Sequence, residues 1–102
     1  MKLALIVLAA AGTLAAGTVA ASEKLAQASG CMTCHAIDKK LIGPGFKEIA
    51  AKYKSDKDAE AKLAQRIKVG GSGVWGTTPM PPNAHVKEDD IKTLARWAMT
   101  HK

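Results

Sequence analysis

Two cysteines three residues apart, the second followed at once by a histidine, constrain this chain more than any other feature: Cys31-Met32-Thr33-Cys34-His35. On a helical turn, residues three and four apart lie on one face, so both sulfurs and the imidazole address a single object. Two thiols at that spacing can form thioethers with the two vinyl groups along one porphyrin edge. The adjacent imidazole then reaches the iron as the proximal axial ligand. This spacing is therefore read as the attachment site of a c-type haem.

Three simpler readings compete. A redox disulfide of the thioredoxin kind would sit near a βαβ pattern, and no strand alternation is evident here. A zinc site needs about four ligands, commonly two cysteines and two closely spaced histidines. The other histidines, His85 and His101, stand far from the cysteines and from each other. A structural disulfide would close a very small loop and leave His35 unexplained.

The chain has 102 residues, enough for one small domain. Its start reads as an export leader: Lys2 supplies the positive charge, residues 3–11 are an unbroken apolar run, and Val19-Ala20-Ala21 offers small residues for cleavage. An uncleaved membrane anchor is the competing reading, because residues 3–21 are nearly long enough to span a bilayer. The Ala- and Gly-rich second half favours cleavage after Ala20 or Ala21, giving a leader over residues 1–21 and a domain over residues 22–102. Either reading places the domain outside the cytoplasm, in a bacterium the periplasm or the membrane surface, the side where such thioethers are made. A domain that short buries little surface of its own. A covalently held haem supplies both a staple and a large apolar core element.

The net charge is +6, with lysines scattered from Lys39 to Lys92 rather than packed in one run. That charge serves solubility and can steer association with acidic protein partners. An exported chain with 4% aromatic residues and no binding motif is not expected to bind nucleic acid.

Helical periodicity recurs along the remainder. Ser22 and Glu23 suit the start of a first helix with Leu25, Ala26 and Ala28 on its apolar face, ended by Gly30. Residues 36–45 show no period and read as a loop stiffened by Pro44 between two glycines, a plausible source of a carbonyl for the second ring nitrogen of His35. Residues 46–54 carry Phe46, Ile49, Ala50 and Tyr53 on one stripe, and a third helix opens near Asp58 with Ala59, Leu63 and Ile67 recurring until Gly70-Gly71 stops it. Arg66 stands one residue off that stripe, free for solvent or for a haem propionate. A last helix over residues 86–101 buries Ile91, Leu94, Ala95 and Ala98 and places Glu88, Asp89 and Asp90 in its first turn. Its cap is weak at Lys87. Trp97 should pack it on the first helix, and His101 and Lys102 should complement its C-terminal dipole.

Between Gly70 and Asn83, glycines and prolines exclude helix and central strand, so the segment reads as a long ordered loop, a usual location for function. Met80 lies inside it, flanked by Pro79, Pro81 and Pro82. A buried methionine usually fills a gap. Prolines on both sides suit a side chain that must be held at one point, and Met1, Met32 and Met99 are poorly placed to compete. Met80 is thus the expected distal ligand.

With these residues in view, the chain after the leader resembles the small bacterial class I cytochromes c of the c-551/c-552 type, through CMTCHAID, IGPGFKEIAAKY, LAQRIKVGGSGVWG, PMPPN and LARW. The resemblance implies a compact all-α fold of about four to five short helices wrapped around one covalently bound haem. It implies Cys31 and Cys34 as thioether anchors, and His35 and Met80 as axial ligands of the haem iron. It also implies that the Pro44 carbonyl receives the proximal imidazole, that Arg66 and Trp75 bond propionates, and that Asn83 lies near the ligating methionine. Gly45 departs from the alanine many relatives carry, which should loosen that turn. The function implied is a soluble, monomeric, periplasmic one-electron carrier and not an enzyme. Its donor would be a membrane cytochrome complex and its acceptor a nitrite reductase, terminal oxidase or peroxidase. A haem peroxidase or gas sensor, with Met80 off the iron, and an assembly subunit of a respiratory complex are the rivals.

Overall fold

The structure, a computed structural model, describes residues 11–102. Four helices make up most of it: α1 (Ala11–Ala28), α2 (Phe46–Lys52), α3 (Ala59–Val69) and α4 (Glu88–Ala98), with a single 3₁₀ turn at Cys31–Thr33. Strands β1 (Gly71–Gly73) and β2 (Gly76–Met80) form an antiparallel pair between α3 and α4. The fold is mostly helical with this small sheet added.

The expected apolar run of the leader lies outside the described residues except for its last member. The first helix does not begin at Ser22. It runs through it, and Ser22 is buried inside α1 rather than standing at its cap. Alanine is the best helix former and little in the Ala-rich stretch before Ser22 stops a helix, so the hydroxyl loses its expected role. Among the described residues no helix is long and apolar enough to cross a membrane.

Helix α2 starts at Gly45, whose N–H donates to the Glu48 carboxylate at 2.9 Å, one half of a capping box that glycine cannot complete with a side chain. Gly45 is also closely packed: a methyl group there would stand 2.9 Å from the Lys39 carbonyl oxygen and 3.0 Å from its nitrogen. The turn is therefore tight, where a loosened one was expected. At α3 the Asp58 side chain makes no cap bond. Asp56 takes that place, accepting from the Asp58 N–H at 2.8 Å and pairing with Lys62 at 2.7 Å. Gly70, at φ 71°, ends α3 in a conformation that favours glycine. Helix α4 is shorter than its periodicity implied, beginning after an uncapped Lys87 and ending at Ala98.

The core joins Ala26 of α1, Phe46 and Ile49 of α2, Leu63 of α3, and Leu94, Ala95, Trp97 and Ala98 of α4. Trp97 shares the core with Ala26 of α1, as expected, and also packs edge-on against Phe46 of α2, with ring centroids 4.8 Å apart. His101 does not sit in solvent at the helix end. Its ring lies 4.5 Å from Trp97 and 5.6 Å from Phe46. The exposed ion pairs Lys68–Glu88 and Arg96–Glu60 link α3 to α4 and contribute little to stability.

The glycine- and proline-rich segment is a hairpin and not a structureless loop. Gly71 pairs with Met80 and Gly73 with Gly76, with a bulge between the two pairs. Positive φ at Gly71, Gly73 and Gly76 allows that bulged, tightly turned path. A two-stranded ribbon has only edge strands, so Pro79 is tolerated within β2.

Candidate haem-binding site

The attachment segment follows α1 through Gly30, at φ 87°. The turn closes when the N–H groups of Cys34 and His35 both donate to the Cys31 carbonyl, at 3.2 and 3.0 Å. Cys31 and Cys34 are free thiols, both half-buried. Burial is the main influence pushing the Cys31 thiol above its ordinary pKa, with Cys34 adding to it against the lowering effect of a backbone hydrogen bond. A thiol kept protonated by an apolar wall suits a neutral covalent anchor better than a thiolate ligand.

His35 is 9% exposed. Its Nδ1 lies 2.7 Å from the carbonyl oxygen of Pro44. A carbonyl only accepts, so Nδ1 carries the proton and Nε2 keeps the lone pair available to a metal. Two contacts hold the ring further. Gly43 approaches so closely that a methyl group on it would stand 2.7 Å from Cε1. Gly43 itself is tied down, its N–H donating to the Cys34 carbonyl at 2.8 Å. The Phe46 ring packs at 5.2 Å from the imidazole.

Met80 ends β2, half-buried. Its carbonyl lies against Gly70 so closely that any side chain there would collide. Asn83 pins the following turn to α3: its backbone N–H and its Nδ2 both donate to the Ile67 carbonyl, at 3.1 and 2.9 Å. Arg66 reaches across Gly71, with Nη1 3.5 Å from the Gly70 carbonyl oxygen. Trp75 occupies the hairpin tip, partly exposed, with the Lys52 ammonium 5.6 Å over its ring.

All eight residues expected to serve the haem (Cys31, Cys34, His35, Pro44, Arg66, Trp75, Met80 and Asn83) line one cavity. Its other walls are largely apolar, with Ile42, Phe46, Ile49, Leu63, Ile67 and Leu94 among them. The cavity thus combines two thiols, an oriented imidazole, a thioether and the side-chain N–H donors of Arg66, Trp75 and Asn83 with an apolar lining. Those donors and that lining fit an iron porphyrin with polar propionates. They do not fit zinc: among the described residues no three His, Cys, Asp or Glu side chains gather as a metal site. The sequence reading missed the close contacts of Gly43 and Phe46 with His35 and the use of the Ile67 carbonyl as an anchor. In the sequence Gly43 is simply one of two glycines flanking Pro44, and Phe46 and Ile67 are members of apolar stripes.

The sequence profile of the cytochrome c family matches residues 19–102. The chain is 52% identical over 101 residues to cytochrome c-551 of Pseudomonas aeruginosa, covering 97% of this chain and 96% of that protein. It is 48% identical over 94 residues to cytochrome c-552 of Nitrosomonas europaea, covering 92% and 91%. The crystal structure of wild-type Nitrosomonas europaea cytochrome c552 superposes with a TM-score of 0.76 at 49% identity, covering 78% of this chain and 99% of that one. With this cavity and this likeness together, the chain belongs to the cytochrome c family, as a small electron-transfer protein carrying one covalently bound haem c.

Proposed function

We propose that the chain is a periplasmic, monomeric, one-electron carrier in which Cys31 and Cys34 anchor the haem and His35 and Met80 ligate its iron. The haem, when bound, supplies the one-electron couple, and the protein's residues set how easily it is used. His35 presents Nε2 in a fixed orientation because Pro44 holds Nδ1. Met80 approaches from a separate segment, the β2 end, which Asn83 ties to α3. Two protein ligands leave no coordination position for substrate or oxygen, which separates a carrier from a peroxidase or a gas sensor. Thioether sulfur favours the reduced state and so raises the potential. Arg66 and Trp75 lie along the same cavity as partners for the propionates.

The observation that carries this reading is the joint placement of His35 and Met80 on one cavity that also holds both cysteines. The oxidised protein should show the far-red absorption band of sulfur bound to iron, and Met80→Ala should abolish it. A wild-type protein without the band, or a variant that keeps it, would refute the ligand assignment.

Residues 1–21 act in this reading as a cleaved leader, leaving residues 22–102 as the exported domain, without stable membrane insertion. Mass measurement of the protein recovered from the periplasm should give a chain beginning at Ala21 or Ser22. The family likeness and the basic charge support redox proteins as partners, with a membrane cytochrome complex as donor and a nitrite reductase, terminal oxidase or peroxidase as acceptor.

A further inference from the structure

His101 follows α4 by three residues, and the chain turns back to place it. Thr100 makes that turn, donating from its N–H and its hydroxyl to the Trp97 carbonyl at 3.0 and 2.6 Å. The His101 ring then stands edge-on to Trp97 and tilted against Phe46. Its Nε2 is shut off from water and has no hydrogen-bond partner. A buried polar nitrogen left unpaired is rare and costly, and the cost rises when it takes a proton. The same Phe46 packs against the His35 ring. One aromatic side chain therefore separates the orphaned nitrogen from the imidazole assigned to the iron.

We propose that His101 is a positioning residue for the proximal imidazole, acting through Phe46, and that its proton is linked to the oxidation state of the carrier. This rests on the reading that His35 ligates the iron. The neutral ring braces Phe46 against His35. A proton on His101 places a positive charge one ring away from the proximal ligand, which disfavours the extra positive charge of the oxidised state. By reciprocity, the electron that enters from the redox donor raises the affinity of His101 for a proton drawn from solvent.

The charged groups facing His101 do not cancel this effect. Burial is the main influence and lowers the His101 pKa; Glu23 of α1 pulls it up and Lys47 of α2 pushes it down, while Lys102 adjoins it in the chain. The two facing charges oppose one another, and neither is a hydrogen-bond partner of Nε2.

The test uses the haem-loaded protein. The ring-proton resonances of His101 are followed against pH by NMR in the oxidised and the reduced protein, and the reduction potential is measured across the same range. The expected result is a titration midpoint higher in the reduced protein, by about one pH unit or less for a unit charge at this separation. The potential should rise on acidification through that window. His101→Phe keeps a ring against Trp97 and Phe46 but cannot titrate, and His101→Gln loses both. Each should remove that part of the pH profile. Equal midpoints in the two oxidation states, or a profile unchanged in both variants, would overturn the proposal. The wild-type titration decides alone if a variant does not assemble. The far-red band, recorded on the same samples, separates the two levels: its absence defeats the ligand assignment, whereas its presence with equal midpoints defeats only the role of His101.

Discussion

Gly43→Ala tests the steric logic of the proximal wall. An added methyl carbon would stand 2.7 Å from His35 Cε1, 3.0 Å from Nδ1 and 3.3 Å from Nε2. Favourable carbon contacts begin near 3.5 Å, so about 0.8 Å of movement is required. The ring has little freedom to give it: Nδ1 is held by Pro44 at 2.7 Å and Phe46 packs beside it. The Gly43 backbone is equally fixed, its N–H bound to Cys34 and its carbonyl accepting from Leu41 at 3.0 Å. Overpacking of this kind costs about 1–3 kcal/mol. In a domain of this size each kcal/mol moves Tm by about 4–8 °C. Paired measurements on the haem-loaded protein, a denaturant midpoint and the reduction potential, would detect it. Stability should fall by that amount at unchanged m-value, and the potential should move because the imidazole is displaced. A variant within about 0.5 kcal/mol of wild type, with the same potential, would show that the Gly43 contact does not hold the ring and would refute the reasoning.

Asn83→Ala removes the side-chain hydrogen bond to the Ile67 carbonyl but keeps the backbone one, so global stability should fall by about 1 kcal/mol while the far-red band weakens as Met80 loses its tether; an unchanged band in thermal titration would show that Asn83 does not position the ligand. His101 has a folded-state pKa below its ordinary value because of burial. The unfolded chain therefore binds the proton first as pH falls, and stability present above about pH 6.5 should decline below it. Tm measured against pH should show this decline in the wild type and a smaller one in His101→Phe; parallel curves would remove His101 from the account. Electron-transfer rates with an acidic partner should fall as salt rises, if the +6 net charge steers encounter. A flat salt dependence would leave the partly exposed Val74, Trp75 and Ile42 around the cavity as the docking surface.

Much of the candidate site was legible, in that its expected residues do line one cavity, because its chemistry is local or its residues are unusual. Cys31, Cys34 and His35 announce themselves by spacing, and Met80 by the prolines around it. The apolar stripes were largely readable: Phe46, Ile49 and Ala50, Ala59 and Leu63, and Ile91, Leu94, Ala95 and Ala98 are buried, Tyr53, Ile67 and Leu25 are half-buried, and only Ala28 of α1 is exposed. What escaped depends on contacts between distant residues. Whether Ser22 caps or continues a helix turns on the alanines before it, and both outcomes suit the same local pattern. The hairpin depends on positive φ at three glycines, a freedom that sequence shows without saying how it is used. His101 looks like an ordinary helix-end cation until Thr100 folds it onto Trp97. Gly43 gains its steric role only once Pro44 has drawn the His35 ring over it.

The segments that carry His35 and Met80 are supported by different physics, and the difference bears on the ligation proposed above. On the His35 side the ring is buried, hydrogen-bonded at 2.7 Å, packed at a tilt against Phe46 and pressed by Gly43, and Phe46 is itself part of the core through Trp97. Displacing that imidazole would disturb the packing of α2 on α4. On the Met80 side the support is an exposed two-stranded ribbon, a close approach to Gly70 and the bonds from Asn83 to one carbonyl of α3. None of these belongs to the core cluster. Under the ligation proposed above, His35 would be the stiffly held ligand and Met80 the lightly held one, its hold on the iron resting on the 70–83 segment. Since sulfur ligation raises the potential, that proposal expects the local stability of the 70–83 segment to govern the carrier's redox behaviour more directly than the stability of the domain as a whole.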